Sequence, residues 1–321
     1  VKEENIISLI ERTFVFPDSG DLLTGPGDDC AVLRTHNGSM VVTTDEQVEG
    51  THFLPGSSPV DIACRLMRVN LSDLAGMGYV RPVSCVAGAG LVKGTPPEFI
   101  KEFIIQLKKE ADRFGITIAG GNLAAARENH FYMTVWGEAM AAPILRTGTC
   151  EGDLLVNTGP LGEAKAALEI LMRKDSAEMK KYESLTESFW RPEPHIAEGR
   201  IIAENNIASA MLDNSDGFFK SAKILAEKSG LCAVIDAKSI KPSPALSAWC
   251  RESSTAGNIR NAVAYAIDGG EDYGLVFSMR PQKAELLKKL LPQAQIAGVF
   301  EKGHGVKLVN FDGGIEGFEH F

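Results

Sequence analysis

Five short segments set carboxylates beside glycines, hydroxyls or amides: Gly27-Asp28-Asp29, Thr43-Thr44-Asp45, Asn70-Leu71-Ser72-Asp73, Asp213-Asn214-Ser215-Asp216-Gly217 and Gly269-Gly270-Glu271-Asp272. Carboxylate, hydroxyl and carbonyl oxygens are hard donors, the set that Mg²⁺ prefers. Glycines beside them let a backbone approach a phosphate closely. Each segment alone reads most simply as a capped turn. Five in one chain point instead to phosphate chemistry carried out through several divalent cations. The familiar alternatives are missing: there is no Gly-Lys-Ser/Thr loop, no His-Arg-Asp or Asp-Phe-Gly, no His-Glu-x-x-His and no Gly-x-Ser-x-Gly. Gly88-Ala89-Gly90-Leu91-Val92-Lys93-Gly94 is one residue too long for a dinucleotide fingerprint and reads as a strand running into a turn.

Hydrophobic spacing predicts the elements that must carry these segments. Helices are expected over residues 4–14, from Asp61 as N-cap through 77, and from Pro96-Pro97 to Phe114 with Gly115 as its stop. Strands are expected at 39–45, 83–91, 116–119 and 131–139. A run of turn-formers, Arg146 to Gly152, separates this half from a second one. There, strands are expected at 153–158, 210–212, 232–236, 273–279, 296–300 and 306–309, with helices across 162–205, 218–228 and 282–290. The reading is an α+β chain of two domains, 1–145 and 146–321.

Lys+Arg 33 against Asp+Glu 42 gives a net charge of −9, and no basic cluster interrupts it. That argues against nucleic acid as a partner, while bridging cations still allow anionic phosphates. No apolar run reaches membrane-spanning length, and Lys2-Glu3-Glu4-Asn5 is unlike a signal peptide, so a cytoplasmic protein without membrane association is expected. The six cysteines are scattered without a Cys-x-x-Cys, which suits reduced, packed thiols.

Taken in order, the motifs resemble the thiamine-monophosphate kinase family of the aminoimidazole-ribonucleotide-synthetase superfamily. The segments that carry the resemblance are Gly27-Asp28-Asp29-Cys30-Ala31, Thr43-Thr44-Asp45, Val48-Glu49-Gly50-Thr51-His52-Phe53 and Val69-Asn70-Leu71-Ser72-Asp73-Leu74-Ala75-Gly76-Met77-Gly78. Gly120-Gly121, Leu145-Arg146, Thr158-Gly159-Pro160-Leu161-Gly162, Asp213-x-Ser215-Asp216-Gly217 and Gly269-Gly270-Glu271-Asp272-Tyr273 continue it, and it extends to Phe318 near the C-terminus. The resemblance implies a two-domain synthetase-like α+β fold and a homodimer joined through the N-terminal sheets. It also implies Mg²⁺-dependent transfer of the ATP γ-phosphate to thiamine monophosphate.

Residue by residue, the resemblance makes Asp29, Thr43, Thr44, Asp45, Asp73, Asp213 and Asp216 metal ligands. Gly121, Asn122, Arg146 and Ser215 meet ATP, and His52, Glu271 and Phe318 meet thiamine monophosphate. Asn122 stands where the family carries a metal-binding aspartate; it keeps an oxygen donor but loses a charge, and a plain turn after Gly120-Gly121 is the competing explanation. No residue is assigned as general base, because the attacking phosphate oxygen is already ionised near neutral pH. Blander roles stand beside these: a surface ion pair for Arg146, a solvated helix face for Asn70 and Asp73, a hairpin turn for Glu271-Asp272, a core plug for Phe318. Two other functions remain open, another ATP-dependent enzyme of the superfamily and a nucleotide-binding regulator without turnover.

Overall fold

The computed structural model describes residues 3–13, 20–255 and 259–311. Among the described residues twelve strands form two six-stranded sheets. The first holds β1 (Leu22–Thr24), β2 (Ala31–Thr35), β3 (Gly38–Val48), β4 (Val80–Val92), β5 (Thr117–Ala126) and β6 (His130–Ala139), in the order β1-β2-β3-β6-β4-β5. Its neighbours are antiparallel except β4 and β5, which run parallel because α3 crosses between them. The second sheet holds β7 (Leu154–Asn157), β8 (Ala208–Asp213), β9 (Leu231–Asp236), β10 (Leu275–Met279), β11 (Gln295–Lys302) and β12 (Gly305–Val309), in the order β12-β9-β11-β7-β10-β8.

The helices are α1 (Glu3–Thr13), α2 (Pro59–Gly76), α3 (Pro97–Phe114), α4 (Glu163–Arg173), α5 (Ser176–Lys181), α6 (Glu183–Trp190), α7 (Ile196–Glu204), α8 (Phe218–Glu227), α9 (Pro244–Ser253), α10 (Ala262–Asp268) and α11 (Ala284–Leu290). The architecture is α+β, as expected. α3 ends at Gly115 in the left-handed region, φ 68°, where a Cβ would be costly. α2 starts earlier than its pattern suggested: Ser58, not Asp61, is the N-cap, its Oγ accepting from the Val60 N–H at 3.2 Å, with Pro59 in the first turn. The short strands β1 and β2 and the helices α9 and α10 escaped the sequence reading, being too short or too weakly periodic to stand out.

α2 positions the site. It is buried on nearly every side, including Arg65, Arg68, Asn70 and Ser72, because it is packed from both directions. The first sheet covers one flank, while α3, α6, α7 and β8 cover the others. The competing explanation of a solvated face for Asn70 and Asp73 therefore fails; those polar groups point into the interior toward partners. One hydrophobic cluster runs from Val41, Met133 and Val135 of the first sheet through Leu66 to Phe189 and Trp249 of the second half. The two sheets divide the sequence near the predicted turn-rich stretch; α4, α6 and α9 of the second half join the first sheet's core, while the strands of the second sheet pack in clusters of their own.

Candidate active site

Strand alternation on β3 turns Thr43, Asp45 and Gln47 to one face, toward α2, and Thr44 and Glu46 to the other. The Thr43 hydroxyl donates to Asp73 Oδ2 at 2.6 Å. The Asp45 N–H donates to Asn70 Oδ1 at 3.0 Å, and Asn70 is itself oriented by donating Nδ2 to Leu66 O at 2.9 Å. Asn70 and Asp73, one helical turn apart, thus read out two alternate positions of the strand. Thr44 departs from its expected role: its hydroxyl donates to Met133 O at 3.0 Å and accepts from Thr134 Oγ1 at 3.1 Å. That side chain lies on the far face, away from the carboxylates.

The second half closes the cluster from the opposite side. Ser72 Oγ donates to Asp213 Oδ2 at 2.8 Å, joining α2 to the end of β8. The Asp213 N–H reaches Asp29 Oδ2 at 3.3 Å, and Ser215 Oγ donates to Asp213 Oδ1 at 3.3 Å. Arg146 Nε donates to Asp29 Oδ1 at 2.9 Å, while the Arg146 main-chain N–H donates to Asp28 Oδ2 at 3.1 Å. Asp29 is fully buried in this pair, so Arg146 is no surface ion pair. Asp216 pairs with Lys220 at 2.8 Å. Gly76 makes the approach possible: a Cβ there would fall 2.3 Å from Asp29 Oδ2 and 3.1 Å from the Asp213 nitrogen.

These carboxyls repel one another in a dry setting. Burial first, then Asp213, Asp45 and Asp29, push Asp73 well above the usual carboxylate range. Burial and the charge of Asp29 raise Asp213 to about 7, and the same two causes raise Asp28 to about 6. Burial also raises Asp29, against the pull of Arg146. Such a negative excess, built of hard oxygens, fits a divalent cation. Among the described residues no three His, Cys, Asp or Glu side chains make a metal cage by themselves.

The Gly269–Gly274 loop lies against the Asp213–Gly217 turn rather than forming a hairpin. The Glu271 N–H donates to Ser215 O at 2.6 Å, the Tyr273 N–H to Asn214 O at 3.0 Å, and the Asn214 N–H to Gly274 O at 2.7 Å. Gly270 is required by this contact, since a Cβ would sit 2.8 Å from Ser215 O. Asp272 accepts from the Gly162 and Ala164 N–H groups at 2.6 and 3.1 Å, capping α4 across the loop. His52 follows β3, with Nδ1 accepting from the Val48 N–H at 3.1 Å. Phe318 lies outside the described residues.

Gly121 and Asn122 are not gathered with the acids. They belong to the extended edge strand β5, paired with Ala87 and Gly88, so Asn122 is not in a turn. The row Asp45–Met133–Ala87–Gly121 crosses the sheet from β3 to β5. At about 4.8 Å per strand this is roughly 14 Å, too far for one cation shell within the chain. A Cβ on Gly121 would lie 1.6 Å from Ala87 O, which explains the glycine. Sequence reasoning also passed over Asp28, Asn70 and Ser72 as site residues. The signal lay in Gly27-Asp28-Asp29 and in the spacing of Asn70-Leu71-Ser72-Asp73, but only the partners met in the fold reveal it.

The match to known proteins follows the same outline. Residues 27–139 match the family model for the AIR synthase related protein, N-terminal domain. A thiamine-monophosphate kinase of Buchnera aphidicola subsp. Schizaphis graminum is 30% identical, covering 99% of this chain and 99% of that protein. The Salmonella typhimurium thiamine-monophosphate kinase is 31% identical over 85% of this chain and 82% of its own. Among solved structures, AaThiL complexed with AMPPCP and TMP superposes with a TM-score of 0.87 at 26% identity, over 100% of this chain and 97% of that one. Identity sustained over the full length, and across both sheets that build the acidic cluster, places this chain in the thiamine-monophosphate kinase family.

Proposed function

We propose that this chain transfers the γ-phosphoryl group of ATP to the phosphate of thiamine monophosphate, releasing ADP and thiamine diphosphate. The observation that carries the reading is the convergence of Asp29, Asp45, Asp73 and Asp213, from both halves of the chain, on one buried cluster beside Arg146. Two anions must meet in this reaction, and a protein contributes chiefly positioning and charge neutralisation. Asp29, Thr43, Asp45, Asp73, Asp213 and Asp216 would hold Mg²⁺, whose role is to screen the phosphate oxygens from each other. Arg146 offers a permanent forked donor to the nucleotide phosphates, beside the Ser215 hydroxyl. The Glu271 carboxylate would attract the cationic thiazolium, and the resemblance gives His52 and Phe318 to the same substrate. No side chain is needed as base.

A second copy of the chain belongs to the same reading. Among the described residues β5 ends its sheet and leaves one backbone edge for pairing, and Leu123 on it is 71% exposed. Beside β5 an apolar groove of about 690 Å³ is lined by Leu91, Phe99, Phe103, Ile104 and Phe131. A homodimer through these N-terminal sheets covers that face and offers Gly121 and Asn122 a route to a nucleotide that one chain does not provide. The division into domains 1–145 and 146–321 follows the separation of the two sheets. Among the described residues no helix is long and apolar enough to cross a membrane.

ADP release from ATP, measured with and without thiamine monophosphate, tests the function. Release that requires the monophosphate is expected. Release without it, or tight ATP binding with no turnover, refutes the kinase reading; the latter is what a regulator would give.

A further inference from the structure

Arg65 is a buried cation that the phosphoryl-transfer machinery leaves without a role. It sits inside α2 with a side chain only 1% exposed, two guanidinium nitrogens hydrogen-bonded and the third held only by an ion pair. Nε donates to Gln47 Oε1 at 3.0 Å, Nη1 donates to the main-chain oxygen of Phe189, and Nη2 forms an ion pair with Glu271. Its carbon lies 4.3 Å from the Phe189 ring centroid and 5.7 Å from that of Tyr273. The Tyr273 hydroxyl adds a second donor to Glu271 Oε2, at 3.1 Å. Gln47 lies two residues beyond Asp45 on the same face of β3, so the guanidinium ties the metal-bearing strand to the Glu271 loop.

That loop carries a second observation. Glu271 and Tyr273 both have left-handed backbones, φ 69° and 54°, without being glycine. Such conformations persist where the surroundings over-determine them, and they concentrate where a side chain must be held in one place. A buried ion pair is weak evidence for stability, because apolar residues of similar volume would serve as well or better. Its use here is orientation.

We propose that Arg65, with Tyr273, is the positioning residue of the substrate subsite: it fixes the Glu271 carboxylate where the substrate cation arrives and so sets affinity for thiamine monophosphate without touching the transferred group. This rests on the reading of Glu271 as a substrate contact. Glu271 retains 28% side-chain exposure, so one flank is clamped while another stays open to a ligand. Lysine cannot replace the arginine fully, since one ammonium cannot span three acceptors held in a planar fork.

Steady-state kinetics on the full chain test this with Arg65→Met, Arg65→Lys, Tyr273→Phe, Glu271→Gln and the Tyr273→Phe/Glu271→Gln double variant. Arg65→Met is expected to raise KM for thiamine monophosphate about tenfold and KM for ATP less than about twofold, with partial recovery in Arg65→Lys. Tyr273→Phe, which removes only a hydroxyl, is expected to raise the same KM about threefold alone and not at all when Glu271 is already glutamine. The double-variant comparison decides the matter should the Arg65 variants fail to fold. Equal rises in both KM values, or Tyr273→Phe and Glu271→Gln effects that simply multiply, overturn the assignment. Wild-type ADP release that ignores thiamine monophosphate overturns the function itself, and this assignment with it.

Discussion

Ser72→Ala is the most informative small change at the acidic cluster. It removes one oxygen from a fully buried site, leaves the helix propensity of α2 intact, and takes from Asp213 its 2.8 Å donor. A hydrogen bond to an ionised acceptor contributes about 1.5–3 kcal/mol, and it contributes less when the acceptor is protonated. Asp213 already lies at about 7, and Ser72 is one of the groups holding it down. Losing that donor moves it further up, so below neutrality more of the ligand-free protein is protonated where a cation must bind. Because Mg²⁺ needs the ionised form, a difference of about 1.4 kcal/mol between the two forms raises the Mg²⁺ for half-maximal activity about tenfold near pH 6.5. Near pH 8.5 Asp213 is mostly ionised with or without Mg²⁺, both states lose the same bond, and the requirement returns to within about twofold of wild type. Stability should fall by about 2 kcal/mol, which for a chain of this length is a Tm decrease of about 3 °C. Initial rates against free Mg²⁺ at the two pH values, with calorimetric melting, give all three quantities. An unchanged Mg²⁺ requirement near pH 6.5, or an increase that persists undiminished near pH 8.5, refutes the coupling between Ser72, Asp213 and the cation.

Asp45→Ala and Asp216→Ala, one in each half, should each abolish transfer while circular dichroism and melting stay near wild type; near-normal rates at saturating Mg²⁺ would contradict a shared site. Gly121→Ala should separate β5 from β4, because the new methyl overlaps Ala87 O, and size-exclusion chromatography should show loss of the dimer. Asn122→Asp should lower the Mg²⁺ needed for half-maximal activity, and an unchanged requirement would remove position 122 from the cation shell. Asp213 and Asp272 are both raised by burial from 3.8 to about 7, so the stability tied to their neutral forms is complete below about pH 4 and lost as pH rises through 7. Melting of the protein without Mg²⁺ should decline across that window, and added Mg²⁺ should offset the part due to Asp213; a flat profile would show that these carboxyls are better solvated than their burial implies.

Sequence alone determined the chemistry and the class of fold. Residue type fixes donor hardness, so clustered Asp, Thr and Ser beside glycine point to cation and phosphate chemistry before any partner is known. Long amphipathic or β-branched runs, such as those of α3 and β6, were legible because local periodicity decides them. What the sequence could not decide was which side chains meet. Thr43 and Thr44 are neighbours of equal type, and only the pairing of β3 with β6 and its packing on α2 sends one hydroxyl to Asp73 and the other to Met133. Nothing in the sequence says which partners Asn70, Ser72 and Arg65 take on their helix. They are structural keys because α2 is enclosed by both halves, so its polar groups must find partners more than a hundred residues away, such as Asp213 and Phe189. Asn122, read as a cation ligand with a plain turn as the competing explanation, is an edge-strand residue about three strands from the acids, since register across a sheet is set by all its strands together. Burial, partner choice and the resulting shifts in acidity are properties of the whole packed chain, and the tertiary structure alone decided them.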